Sequence, residues 1–443
     1  MRTFVLVVVA LVLAFPANAQ EPRQNAFYAP EVKDPALKKI EDENAEADKS
    51  AGAVTDGIRK KQEEAAKAKK EARRHLRAEL PEADRPSDIS QFSPVFHFPP
   101  QAQYLTGTCW SYCGTSFLES EVKRVTGSQV KLSEMYPVYW EYVEKARRFV
   151  RERGDSNFGE GSEVNAVLRM AKLYGAVPLQ AYPGRKDGKR DAASGEVLHD
   201  HSRMAPEMTS YLQWVKQQGM WDEEAVVAGV RAILDRHLGA PPTEFEYEGK
   251  KYTPRTFFQK VVKVGPDDYV QFMSTLSEPF FKTALFDVPD NWWKDDTYHN
   301  VPLDVFYDVI VKSVAAGYSI GIGGDVSEPG KDFAHSAAFV PSFDIPSDHI
   351  DQSAREYRIT NGSTGDDHGV HLVGMADVGG HKWFLIKDSG RSARWAKPEG
   401  YYFFRDDFVK LKMLTIMVHK DAVPELVERF EEPGAPRQDE SGR

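Results

Sequence analysis

Gln103-Tyr-Leu-Thr-Gly-Thr-Cys109-Trp-Ser-Tyr-Cys113-Gly-Thr-Ser-Phe117-Leu-Glu119 is the stretch from which the rest of the chain can be read. A Gly and a Thr lead into a Cys, and apolar side chains follow at helical spacing: Trp110, Cys113 and Phe117 on one side, Leu118 close by. That pattern predicts a loop running into a helix, with Cys109 in its first turn. A thiol there lies beside unpaired backbone N–H groups and the positive end of the helix dipole, and both favour the thiolate. Gln103, six residues earlier, can set a side-chain amide beside the sulfur as an oxyanion donor, a preorganised group that stabilises a tetrahedral intermediate. The competing reading is a buried structural cysteine, since free Cys is among the most buried residue types.

The 443 residues allow two or three domains or one large two-lobed unit. Hydrophobic residues at 41% and aromatics at 12% suffice for a sizeable core. The formal net charge of -10 argues against a general nucleic-acid binder, whose footprint is a basic excess. Cys109 and Cys113 are the only cysteines. Four apart on a helix, they fit disulfide geometry poorly, so no structural disulfide is expected.

Residues 1–19 have the three parts of a secretory signal: Arg2, an apolar run from Phe4 to Phe15, and Ala17-Asn18-Ala19 as a small-residue cleavage site. The expectation is cleavage near Ala19 and a secreted or periplasmic mature chain. No other stretch is long and apolar enough to cross a bilayer, so no membrane association is expected after cleavage. Residues 20–90 read as a charged helical arm or linker: Lys60 to Leu80 is rich in helix formers with opposite charges three or four apart, which suits a solvated helix. A removable propeptide is the alternative for this arm. Pro81 to Pro100 reads as the linker into a body spanning 91–422, and the polar residues 423–443 are expected to be a disordered tail.

Downstream pieces decide between the two readings of Cys109. Leu132-Ser-Glu-Met-Tyr-Pro begins a second helix, and Gly159-Glu-Gly161-Ser is a turn before a periodic segment from Val164 to Tyr174. Leu238-Gly-Ala-Pro-Pro-Thr-Glu-Phe, Lys251-Tyr-Thr-Pro-Arg-Thr-Phe-Phe and Tyr298-His-Asn-Val-Pro-Leu follow in order, within a region 185–300 that reads as helices and loops. Then come strand patterns: Tyr318-Ser-Ile-Gly-Ile-Gly-Gly, His368-Gly-Val-His-Leu-Val-Gly-Met, Trp383-Phe-Leu-Ile-Lys-Asp388-Ser-Gly and Gly400-Tyr-Tyr-Phe-Phe. Gln-x5-Cys-Trp opening a helix resembles papain-like cysteine peptidases, and Thr-Gly-Thr-Cys-Trp with the ordered pieces above looks most like their bleomycin hydrolase, or aminopeptidase C, branch.

The resemblance covers roughly Gln101 to Ala422. It implies an α+β, papain-like two-lobed fold, with a helical lobe (101–184), a long helical insertion (185–300) and an antiparallel β lobe (301–422). It places His368 at the catalytic histidine and Asp388 where the family carries an orienting Asn; the Trp that follows Ser in the family is missing here, and Trp383 or Trp395 is a candidate substitute. An Asp can still hold the imidazole, and its charge favours imidazolium. Gly159 and Gly161 match the turn along the family's substrate cleft. The implied activity is a cysteine peptidase, aminopeptidase-like with endopeptidase as the open alternative, acting on peptides or proteins without metal or organic cofactor; a homo-oligomer is left open. A metal site on His368 and His371 is disfavoured, because three residues apart on a strand they are expected on opposite faces. Relatives of this branch are capped by their C-terminal end, whereas this chain runs on past it. Three alternatives remain: a transglutaminase-like acyl transferase, a catalytically impaired papain-like binding protein, and an interaction protein driven by the arm at 50–80.

Overall fold

Asp34 opens the first helix by accepting the Ala36 N–H on its carboxylate at 2.7 Å, with Pro35 at the first helical position. The helix, α1, runs Pro35–Glu71 and ends on Lys69 and Lys70, cations suited to the negative end of its dipole. None of its residues is buried. The computed structural model describes residues 34–74, 78–185, 187–192, 195–327, 330–332, 335–390, 393–394 and 397–431; the expected signal segment 1–19 and Trp395 lie outside these. The chain divides into two units, Met1–His75 and Leu76–Arg443.

In the second unit α2 spans Cys109–Thr126 and stops at Gly127, whose φ of 75° is the left-handed cap conformation. Every residue from Trp110 to Val122 is buried, so α2 is the central element. α3 (Met135–Arg151) and α4 (Ala166–Tyr174) pack beside it, and α5 (Met204–Gln218) and α6 (Glu223–His237) extend the same apolar core through Leu212, Val230 and Leu234. A hairpin follows, β1 (Phe245–Tyr247) with β2 (Lys250–Tyr252), and then the short α7 (Pro254–Phe257).

The second core belongs to a ten-stranded sheet. Its strands are β3 (Tyr269–Met273), β4 (Lys282–Ala284), β5 (Tyr298–Asn300), β6 (Ile320–Gly324), β7 (Lys331–Asp332), β8 (Ala337–Ala338), β9 (His368–Val378), β10 (His381–Lys387), β11 (Tyr401–Arg405) and β12 (Met413–His419). The order is β4-β5-β3-β12-β6-β9-β10-β11-β8-β7, antiparallel except for the β3–β5 and β8–β11 pairs. α8 (Leu303–Ala315) and α10 (Asp406–Lys412) cover it through Phe306, Ile310 and Phe408. α9 (Gln352–Thr360) buries Arg355, which donates to the carbonyls of Ser274, Lys410 and Met413. The result is an α+β fold with a helical lobe and a β lobe. Where they meet, glycines let α2 approach the sheet: a Cβ at Gly369 would lie 3.5 Å from the Trp110 Cα, and one at Gly321 3.8 Å from the Cys113 sulfur.

Three expectations are corrected. Residues 269–300 are not helices and loops but supply β3, β4 and β5, strands of three to five residues too short for alternation to show. Residues 424–431 form a helix, α11 (Pro424–Glu431), rather than disordered tail; Val427 joins the β-lobe core and Phe430 stacks edge-on against His299 at 4.3 Å. The Pro81–Pro100 stretch is packed rather than a free linker: Phe92 stacks on Phe403 at 5.3 Å, and the Val95 N–H donates to the Val373 carbonyl.

Candidate active site at the junction of the lobes

Cys109 is the first residue of α2. Thr108 caps the helix only by its carbonyl, which accepts the Ser111 and Tyr112 N–H groups, while its hydroxyl pairs with that of Thr106 at 2.6 Å. The earliest N–H groups of the helix therefore lie beside Cys109, a partly exposed residue. Cys113, one turn on, is buried, and burial pushes its thiol up; both cysteines are free.

His368 opens β9 and brings its ring to Cys109. Its Nε2 lies 2.7 Å from the Asp388 Oδ1. The ring lies close enough to Cys109 for the sulfur's charge to act on it, and with Nε2 taken by Asp388, Nδ1 is the ring nitrogen left over. Burial alone would push the imidazole down, but the charges of Asp388 and Cys109 and their hydrogen bonds hold it well above its ordinary value. Asp388 follows β10 and is fixed by its N–H to the Gly400 carbonyl; its Oδ1 also accepts the Gly390 N–H at 2.7 Å.

Gln103 is buried on the loop before α2. Its Oε1 accepts from the Ser389 hydroxyl at 2.8 Å and its Nε2 donates to the Thr106 carbonyl at 2.8 Å. Ser389, next to Asp388, thus orients the amide, and one N–H of Nε2 remains after the bond to Thr106.

The Gly159–Gly161 turn is held by its carbonyls. Lys145, pushed down to about 8 by burial, donates to those of Gly159 and Gly161, and the Trp110 indole N–H donates to that of Glu160. Gly161 must lack a Cβ, which would lie 2.1 Å from the Asp290 carboxylate.

Sequence reasoning singled out the glycines and missed Glu160 between them. Its Oε2 accepts the Gly107 N–H, two residues before Cys109, and its Oε1 accepts from the Tyr142 hydroxyl and His201. Glu160 ties the turn to the cysteine loop. Its contacts are with residues 107, 142 and 201, so no local spacing could reveal it. Glu163 and Asp366 were also missed as a pair. Burial, then the neighbouring carboxylates, raise both, Asp366 to about 7. They lie close enough to Cys109 for its charge to act on Glu163.

His371 is placed differently from expectation. Its Nδ1 is 2.8 Å from the Ser116 hydroxyl, so both imidazoles meet α2, His368 at its first residue and His371 seven residues on. His368 is the terminal residue of its strand, where alternation constrains it less. The two rings touch residues two helical turns apart, and among the described residues no three His, Cys, Asp or Glu side chains group as metal ligands. Ser116 also accepts from Lys387, a buried amine that burial pushes down to about 8. Trp383 does not cover the His368–Asp388 bond: its indole donates to Val378 within a separate apolar cluster. A cavity of about 660 Å³ bounded by Gln101, Tyr112, Glu134 and His199 lies nearby but includes none of Cys109, His368 and Asp388.

With this geometry in view, a model of the Peptidase C1-like family matches residues 64–436, most of the chain. The chain belongs to the Peptidase C1-like family. Aminopeptidase C of Streptococcus thermophilus is 23% identical over 264 residues, 51% of this chain and 58% of that relative, so the match spans less than two thirds of its length. Aminopeptidase G of Lactobacillus delbrueckii subsp. lactis is 21% identical over 364 residues, 72% of this chain and 80% of the relative. The crystal structure of PepW from Lactobacillus rhamnosis HN001 (DR20) superposes with a TM-score of 0.59 at 18% identity, covering 76% of this chain and 84% of that one. At that identity it speaks for the papain-like fold alone. Among the described residues no helix is long and apolar enough to cross a membrane.

Proposed function

We propose that this member of the Peptidase C1-like family is a cysteine peptidase acting through Cys109, His368 and Asp388. The reading rests on the His368 ring, which is bonded to Asp388 and close enough to Cys109, at the start of a buried helix, to feel the charge of its sulfur. Cys109 attacks the peptide carbonyl as thiolate, and a C–S bond forms as the carbonyl oxygen takes the negative charge. That oxyanion is received by the Cys109 N–H and the remaining Gln103 N–H. The imidazolium of His368 gives its proton to the leaving amine; it then takes a proton from water, which attacks the thioester and releases Cys109. Asp388 keeps the ring in place and its proton on. Gly159 and Gly161 line the path of an extended substrate by their main chain.

The finer reading is an aminopeptidase, supported by the names of the two relatives. Export, with cleavage near Ala19, rests on the sequence of residues 1–19. The deciding experiment measures hydrolysis of aminoacyl amides with free and acetylated N-termini by the wild type, Cys109→Ala and His368→Ala. Both variants are expected to fold and lose turnover, and acetylation is expected to suppress it. Unchanged turnover in Cys109→Ala would defeat the peptidase reading, and equal rates on the two substrates would defeat only the aminopeptidase one.

A further inference from the structure

Helix α1 has no place in that chemistry, and it presents a feature of its own. Leu37, Ile40, Val54 and Ile58 are each more than half exposed, and they fall at one repeat: 37 and 58 share one heptad position, 40 and 54 the other. Continuing the repeat adds Ala47, Ala51, Ala65 and Ala68, with Asn44 and Lys61 as its two polar members. An apolar seam sustained over four heptads is the pattern of a coiled coil. Little else holds the helix: it buries no residue, and Gly52 and Gly57 weaken it from within, so a partner along the seam would supply the packing that most helices depend on.

We propose that α1 pairs with α1 of a second copy of this chain, antiparallel and over its full length. Reversing the seam on itself sets Leu37 against Ala68, Ile40 against Ala65, Ala47 against Ile58 and Ala51 against Val54. Each layer joins a large side chain to a small one, and the remaining layer joins Asn44 to Lys61. The charges agree with this direction. Glu41, Asp42, Glu43, Glu46 and Asp48 outnumber Lys38, Lys39 and Lys49 in the first half of the helix, and Arg59, Lys60, Lys61, Lys67, Lys69 and Lys70 outnumber Asp56, Glu63, Glu64 and Glu71 in the second, so reversal lays a net acidic half on a net basic half. The one like-charge flank, Glu43 beside Glu64, has Lys60 and Lys67 one turn to either side of Glu64. A parallel pair would align acid with acid.

Full-length chains carrying Cys109→Ser, to silence the partly exposed native cysteine, provide the test. Leu37→Cys is added to one preparation and Ala68→Cys to another. The two positions lie roughly 46 Å apart along one helix, so no disulfide can close within it. Mixing the two and oxidising mildly is expected to give a covalent dimer that neither forms alone, and Ile58→Glu is expected to abolish it. Crosslinking of the Leu37→Cys chain with itself would mean a parallel pair and overturn the proposal. A chain that sediments as a monomer and gives no crosslink would overturn it as well, its seam being bare or covered by something else.

Discussion

Gly390 lies against the ring of His368: a Cβ built on it would come 3.2 Å from the Nε2 of His368 and 3.1 Å from the Oδ1 of Asp388. The place where the resemblance leads one to expect a Trp is thus filled by backbone, whose N–H also donates to Asp388. Gly390→Ala must move the ring or the carboxylate by a few tenths of an ångström. We expect kcat/KM to fall about tenfold, near 1.4 kcal/mol in the barrier, through misalignment of the ring. Steady-state kinetics check this, with the urea midpoint expected to stay nearly constant.

Asp388→Asn keeps a hydrogen-bond acceptor for the ring but removes the charge that favours imidazolium. The folded-state pKa of His368 lies above its ordinary value, so the pair stabilises the fold fully below about pH 6.5 and loses that contribution as pH rises through the folded value. In the variant the alkaline limb of kcat/KM is expected to move to lower pH, and a pH–rate profile measures it. An alkaline limb that does not move would mean that another group titrates there.

Glu160→Ala removes the acceptor shared by Gly107, Tyr142 and His201. A cost of about 2–3 kcal/mol is expected in chemical denaturation, together with weaker turnover as the cysteine loop loosens. The wild-type carboxyl is lowered despite its burial, chiefly by His201, so its contribution is present above about pH 4.5 and is lost as pH falls through the folded value.

Lys387→Met tests the buried amine beside Ser116. Because burial pushes Lys387 down to about 8 from 10.5, the unfolded chain binds the extra proton between those values, and stability attributable to this residue rises with pH across that window. Urea midpoints of the wild type are expected to climb there relative to those of the variant. Parallel profiles would refute the assignment.

How much of this was legible in the sequence differs by element. Cys109 at a helix start, the apolar face of α2 and the strands β9 and β10 follow from periodicity, and the order of the motifs gave the fold class. β3 to β5 were missed because three to five residues carry too little pattern, and α11 because eight residues rich in charge read as tail. Glu160 was missed for another reason: a carboxylate between two glycines has no signature until the three groups it binds have been folded around it.

The local chemistry was set by the chain itself: a thiol among unpaired helix N–H groups, an imidazole on a strand, a carboxylate after the next strand, and a heptad seam along α1. These are properties of neighbours in sequence, where spacing fixes which side chains share a face. Only the tertiary structure decided that Asp388 holds Nε2 of His368, that the Gly390 backbone lies against that bond, and that His371 turns to Ser116. Such contacts join neighbouring strands or segments more than two hundred residues apart, and the packing of the chain across glycines, not any local preference, sets them.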